Sequence, residues 1–316
     1  MSKKLGCSTP VLVAILAVFV SVLIFAFLFG PLGSKLFGLN VPEWMAVSKP
    51  EIQLKSEAVA HISWFTITNT LIASWLTIIV LGTFFYFATR KMKLIPGRLQ
   101  NFAEVIIEIL LNFASSVGEK HARMLLPLLA TIFLYVVTNA YLALFPFFDG
   151  TIYIVEPNGF HAPIIRAANT DINLPLSLAI VSFLYAEIQG LRTHGLFRYL
   201  NSFFQAGKLR EGFAYLFKGK IKPALGSLTF GFINLFIGVL EVIGHLVRLV
   251  SFTFRLFGNM TAGVILLSAV TFLVPFIAAI PFYGLEMLVG LVQAMIFGGL
   301  TMVFSAMAMT SHDIAH

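Results

Sequence analysis

Apolar residues run along this chain in long stretches divided by short polar connections, and the lengths of those stretches predict its elements. Val11 to Phe29 is an apolar run of about 19 residues, enough at 1.5 Å per residue to cross a hydrocarbon core of about 30 Å. Lys3 and Lys4 precede it and no A-x-A site follows, which favours an uncleaved helix over a cleaved signal peptide with its apolar region of roughly 7–15 residues. Trp64 to Ala88, Met124 to Phe148 and Ile172 to Leu191 predict three further crossings. Gly97 to Glu119 is less apolar. It sets Glu104, Glu108 and Glu119 among Phe102, Val105, Ile106, Ile109 and Leu110 at a helical period, the pattern of a cytoplasmic, interfacial or partly sunken helix.

The C-terminal part breaks the span arithmetic. From Pro223 to Val274 nothing reads as a turn, and a helix of about 50 residues is some 75 Å long, more than twice the hydrocarbon thickness. Two ordinary spans would need a connection near Gly244 to Ser251, where no turn signal stands. One long helix, strongly tilted, is therefore expected. Pro275 to Pro281 makes a short break before a second long helix, Phe282 to Thr310. The expected fold is an all-α polytopic membrane protein with about six membrane helices, its last two long, oblique and paired as a hairpin.

Composition agrees: 59% of the 316 residues are hydrophobic and only 11% are charged, far from the roughly 25% charged residues of a soluble domain. A net charge of +7 raises the question of a nucleic-acid partner, and the placement of the charges answers it. Arg90, Lys91, Lys93 and Arg98 follow the second apolar segment without an acid among them. The connection from Arg192 to Lys222 holds seven bases against Glu211 alone, whereas Asp149, Glu156 and Asp171 flank a single Arg166 in the loop before it. By the positive-inside rule the basic loops are cytoplasmic and the acidic or balanced ones external. The charge orients the chain in a lipid bilayer, and no nucleic acid is expected. The one cysteine, Cys7, excludes a disulfide framework, and with only six residues before it the site makes a poor lipoprotein signal.

Polar residues inside the last two apolar stretches are ordered. Glu241, His245, Arg248, Phe252, Arg255, Asn259 and Gly263 recur at intervals of three or four, and so do Glu286, Gly290, Gln293, Phe297 and Thr301. Ionisable groups in a membrane cost several kcal/mol and mark ion or proton paths by default. Glu241, His245 and Arg248 could instead satisfy one another along their own helix. Arg255 has no acid within a turn, so its neutralising partner must come from another helix or another protein. The remaining histidines are dispersed, no HExxH, GxSxG or phosphate-binding glycine loop occurs, and no cofactor or metal is expected.

The segment SFTFRLFGNMTAG (251–263), followed on the next helix by EMLVGLVQAMIF, resembles subunit a of the F-type ATP synthases, a family marked by an arginine in an RLFGN setting and a QA segment on its last helix. LLPLLATIFLYVVTNAYLALFPFF and NTDINLPLSLAI extend the likeness over roughly Trp64 to Thr310. The resemblance divides the chain into an N-terminal extension with one extra membrane helix, residues 1–63, and a family domain, residues 64–316. It implies a non-catalytic stator subunit in the bacterial cell membrane that carries protons, or alternatively sodium ions, through two offset half-channels to a rotating c-subunit ring. The further partners implied are b-type peripheral stalk subunits and the remainder of the synthase. On matching positions Arg255 is the essential arginine, Asn259 and Gln293 flank it, Glu241 is a cytoplasmic-side acid, and Glu286 stands where members carry histidine or glutamate; His245 and Arg248 lie on the same path. The chain departs from the pattern at Val264, where many members place a glutamate. A self-contained secondary transporter binding an anion at Arg255 is the other reading, and it calls for duplicated halves, of which the sequence shows no sign.

Overall fold

A computed structural model describes residues 9–38, 55–62, 65–118, 121–145, 148, 153–155, 161–196, 199, 215, 221–274 and 279–310. The N-terminal lysines, Cys7, Trp64, the acids Asp149 and Glu156, most of the basic connection 197–220 and the break at 275–278 lie outside them.

Helix α1, Thr9–Phe29, is apolar on every side. Gly30 and Pro31 end it, and the chain turns by 67° into the short helix α2, Pro31–Phe37, whose first-turn proline lacks an N–H that has no helical acceptor there anyway. The segment read as a span from Trp64 begins differently. Phe65–Thr68 is a strand, β2, paired antiparallel with β1, Ala58–Ile62, because its alternating aromatic and β-branched residues favour extended backbone. Helix α3 starts only at Asn69–Thr89, capped by the Thr68 hydroxyl accepting from Leu71 N. A second hairpin, β3 (Tyr153–Val155) with β4 (His161–Pro163), leads to a 3-10 turn, Ala168–Thr170.

Four helices form the packed body with α3: α4 Arg98–Gly118, α5 Ala122–Ala143, α6 Asn173–His194 and the last helix, α8 Ile280–Thr310. Against them lies α7, Ile221–Leu273, a continuous helix of 53 residues. At 1.5 Å per residue α7 is about 80 Å long and must run obliquely to stay in a bilayer, as its unbroken apolar pattern requires.

Six described helices are long and apolar enough to span a membrane, α4 among them. Its neighbours nevertheless put both its ends on one side. Phe102, in its first turns, packs edge-on against Phe84 near the end of α3, while Gly118, its last residue, meets Met302 of α8 beside the start of α5. The end of α3 and the start of α5 share one membrane face, since Asn139 near the end of α5 bonds Thr77 in the first half of α3. Both ends of helix α4 therefore lie at the same end of the helix body, in line with the interfacial reading of its carboxylate-bearing pattern.

Close approach in the body depends on small residues, as expected where lipid removes any hydrophobic drive between helices. A Cβ on Gly290 would stand 2.8 Å from Ala140 Cβ, and one on Gly298 2.8 Å from Leu129 Cδ1. Val136, Ala140, Leu256, Met260, Ala294 and Phe297 fill the centre between α5, α7 and α8.

Candidate functional site at the crossing of the last two helices

The polar stripe of α7 lies on one side of that helix, within about 40° of its mean line at roughly 100° per residue. It straddles a border. Phe252 and Gly263, on one edge, are buried; His245 and Arg248 are half-buried; Glu241, Arg255 and Asn259 are exposed on the open side. The stripe of α8 faces inward over its whole length, with Glu286 and Gln293 each only 8% exposed. The two stripes meet in antiparallel register. Phe252 packs on Phe297 at 5.1 Å between ring centroids and on Phe304 at 5.6 Å, and Met260 Cε lies 3.6 Å from where a Gly290 Cβ would stand.

Beyond that point Gly263 faces Glu286. The carboxylate of Glu286 occupies the space a side chain at 263 would take, so the absent Cβ makes its seat. Val264, where the sequence lacks the family's glutamate, is half-buried beside this notch, and the carboxylate at this level comes from α8.

Arg255 projects toward a groove of about 410 Å³ lined by Phe113 and Val117 of α4 and by Met295, Ile296, Gly299, Leu300 and Val303 of α8. None of these residues is acidic, and among the described residues Arg255 forms no ion pair. Asn259, one turn on, shares the open side; Gln293 is turned into the body instead.

Ten residues before Arg255 on α7, His245 is paired across helices: its Nδ1 lies 2.7 Å from Glu187 Oε1 of α6. Arg248 covers the Phe304 ring, its guanidinium carbon 3.7 Å from the centroid. The alternative of a self-satisfied trio along α7 thus gives way to contacts with α6 and α8, while Glu241 points outward. Glu187 is a site residue that the stripe pattern missed, because it sits on another helix, far away in sequence. Its signal was there: it is the lone charge in the apolar run Ile172 to Leu191, the kind of group that marks function by default.

A second set, also missed, gathers where α3 and α6 begin. Thr70 donates to Asp171 Oδ2 at 2.9 Å, and Asn173 donates to Asp171 Oδ1 through its backbone N–H and side-chain amide. Arg166 donates to the Thr170 hydroxyl and to Lys55 O, both at 3.1 Å. Asn139 donates to Thr77 at 2.9 Å and accepts from Asn169 N at 3.2 Å. Asn169 Oδ1 and, on α7, Thr261 Oγ1 are buried with no hydrogen-bond partner among the described residues. The 3-10 turn that carries Asn169 packs against α7, so this polar file leads from the loops before α3 and α6 toward the crossing.

Residues 71–306 match the family described as ATP synthase A chain. The chain is similar to ATP synthase subunit a of Campylobacter jejuni subsp. jejuni serotype O:6, 37% identical over 221 residues, which is 69% of this chain and 80% of the relative. It is likewise similar to ATP synthase subunit a of Campylobacter fetus subsp. fetus, 31% identical over 258 residues, 81% of this chain and 95% of the relative. With ATP synthase subunit a 3 of Pelobacter propionicus it shares 32% identity over 231 residues, 73% of this chain and 83% of the relative.

Proposed function

Given that the chain belongs to the ATP synthase A chain family, we propose that the crossing of α7 and α8 divides two aqueous half-channels and that Arg255 is the divider. The chain is a multi-pass protein of the bacterial inner membrane and acts in ion translocation within an F-type ATP synthase, in a complex with the other subunits of that synthase. In the finer reading the open side of α7 faces a ring of c subunits, and b-type subunits brace the chain from the stalk. The chain itself catalyses no chemistry on ATP. Residues 1–63 are an extension added to the ion-conducting domain of residues 64–316.

The ion enters from outside along the polar file of Asp171, Asn169 and Thr261, passes Glu286 and Gln293, and reaches a rotor carboxylate near Asn259. A neutralised carboxylic acid can rotate into lipid, whereas a carboxylate faces a barrier of several kcal/mol. After nearly a full turn the acid reaches the cytoplasmic outlet near Glu241, His245 and Arg248. There it releases its proton and meets Arg255 as a carboxylate. Guanidinium suits a divider because it keeps its proton at any accessible pH, offers a planar fork of donors and cannot relay.

The observation that supports this reading is the lone charge itself. Arg255 stands within a membrane helix, exposed, at the lip of an apolar groove, with no acid of the described chain beside it. Placing it there costs about 2.5–3.5 kcal/mol on insertion scales, and a carboxylate arriving from another subunit recovers that cost. Arg255→Ala is expected to abolish gradient-driven ATP synthesis in inverted membrane vesicles. Arg255→Lys is expected to fail as well, since lysine deprotonates readily when desolvated. Synthesis near the wild-type rate in either variant would refute the separator role.

A further inference from the structure

We infer that Glu187 is a positioning residue of the cytoplasmic ion outlet, acting through His245 and itself held by Tyr199; the inference rests on the translocation reading above. Both oxygens of Glu187 are engaged. Oε1 lies 2.7 Å from His245 Nδ1, and Oε2 accepts from the Tyr199 hydroxyl at 2.6 Å. The pair is only partly open to solvent, with side chains 19% exposed for Glu187 and 17% for His245.

Each link has a seat built for it. Phe183, one turn before Glu187 on α6, stands edge-on to the imidazole at 6.0 Å and fixes its plane from a second side. Tyr199 lies beyond the end of α6, in the basic connection, and folds back so that its ring rests on Gly190. A Cβ at 190 would stand 2.7 Å from Tyr199 Cε2 and 3.3 Å from Ala308 O, so only glycine leaves the ring its place. Burial first, and the Glu187 carboxylate second, push the Tyr199 phenol above the ordinary tyrosine range. Tyr199 serves as a fixed donor to Glu187.

The charged and titratable groups around the pair are Arg248 from α7, which itself covers the Phe304 ring of α8, and Tyr199 from the connection, on which Glu241 of α7 also acts. An imidazole untethered at Nδ1 samples several rotamers. Tethered, it presents one geometry to an incoming acid. His245 stands ten residues, about 15 Å, before Arg255 on α7, so the rotor carboxylic acid passes its proton to neutral His245 through water in the outlet and leaves as a carboxylate; the imidazolium, facing Glu187, then returns that proton to cytoplasmic water. Glu187 stays a carboxylate and Tyr199 a phenol throughout.

The test uses the whole synthase in inverted vesicles, reading ATP-driven proton pumping and gradient-driven synthesis over about pH 6 to 9, with assembly measured in parallel. Glu187→Gln is expected to slow both by about tenfold and to alter the pH profile, while Glu187→Asp keeps the wild-type profile at a reduced rate. Tyr199→Phe, which removes one oxygen, is expected to slow both about threefold. Because Glu187 acts through His245, Glu187→Gln with His245→Gln should be no slower than the slower single variant. Wild-type rate and profile in Glu187→Gln, or losses that multiply in the double variant, would overturn the inference. Should Glu187→Gln fail to assemble, Glu187→Asp and Tyr199→Phe carry the test, and wild-type behaviour in both would overturn it. Arg255→Ala separates the two levels: its activity would sink the translocation reading, whereas an inactive Arg255→Ala beside an unaffected Glu187→Gln sinks only the role of Glu187.

Discussion

Replacing Gly263 by alanine adds one methyl group where the Glu286 carboxylate now sits, and the consequence can be worked from the packing. The added Cβ would overlap Oε1, Oε2 and Cδ of Glu286 at once. Overpacking of this kind costs typically 1–3 kcal/mol if the neighbour stays, and the flexible end of a glutamate does not stay. It leaves for another rotamer. Holding the carboxylate in its present position then carries that same 1–3 kcal/mol, so the fraction of molecules with Glu286 in place falls by roughly 5- to 150-fold. If Glu286 is the acid of the external half-channel, gradient-driven synthesis should fall by a similar factor with assembly intact, and Glu286→Gln should show a comparable loss. The double change Gly263→Ala with Glu286→Asp shortens the acid by one methylene and should recover part of the flux. Synthesis and proton pumping can be measured in inverted vesicles, and complex content by blue native electrophoresis. A Gly263→Ala variant that pumps at the wild-type rate would refute the placement of Glu286 on the path, and one that fails to assemble in both forms would make the notch a folding requirement instead.

Asp171→Ala leaves the buried Thr70 hydroxyl without its acceptor and takes one from the exposed Asn173, so the complex should lose about 1–3 kcal/mol of stability, read as a lower Tm of the purified synthase; an unchanged Tm would remove Asp171 from this network. Single cysteines between residues 198 and 218 should react with an impermeant thiol reagent from the cytoplasmic side, and those between 156 and 165 from outside; labelling of both from one face would overturn the orientation of every later helix. The Tyr199 phenol is raised in the folded chain, so its contribution to stability is fully present below about pH 10 and lost as the pH climbs further. Wild type should therefore exceed Tyr199→Phe in Tm at neutral pH and converge on it in strong alkali; a constant difference would contradict the bond to Glu187.

The chain's class and its two long C-terminal helices are local properties and were open to reading from the sequence. A run from Pro223 to Val274 without a turn signal has no choice but to be one helix, and α7 is that helix. Arg255 and Glu286 could be named because a charge in an apolar run is conspicuous whatever surrounds it. Sequence periodicity also gave the side of α7 that is polar. It could not give the border within that side, where Phe252 is buried and Arg255 exposed, because that border depends on where α6 and α8 lie. Nor could it show that Gly263 makes room for Glu286, or that His245 turns to Glu187 of α6 with Tyr199 folded back behind it. Each of these pairs joins distant stretches of chain. A period of 3.6 residues fixes directions around one helix axis, and only the packing of helices in three dimensions decides which directions meet.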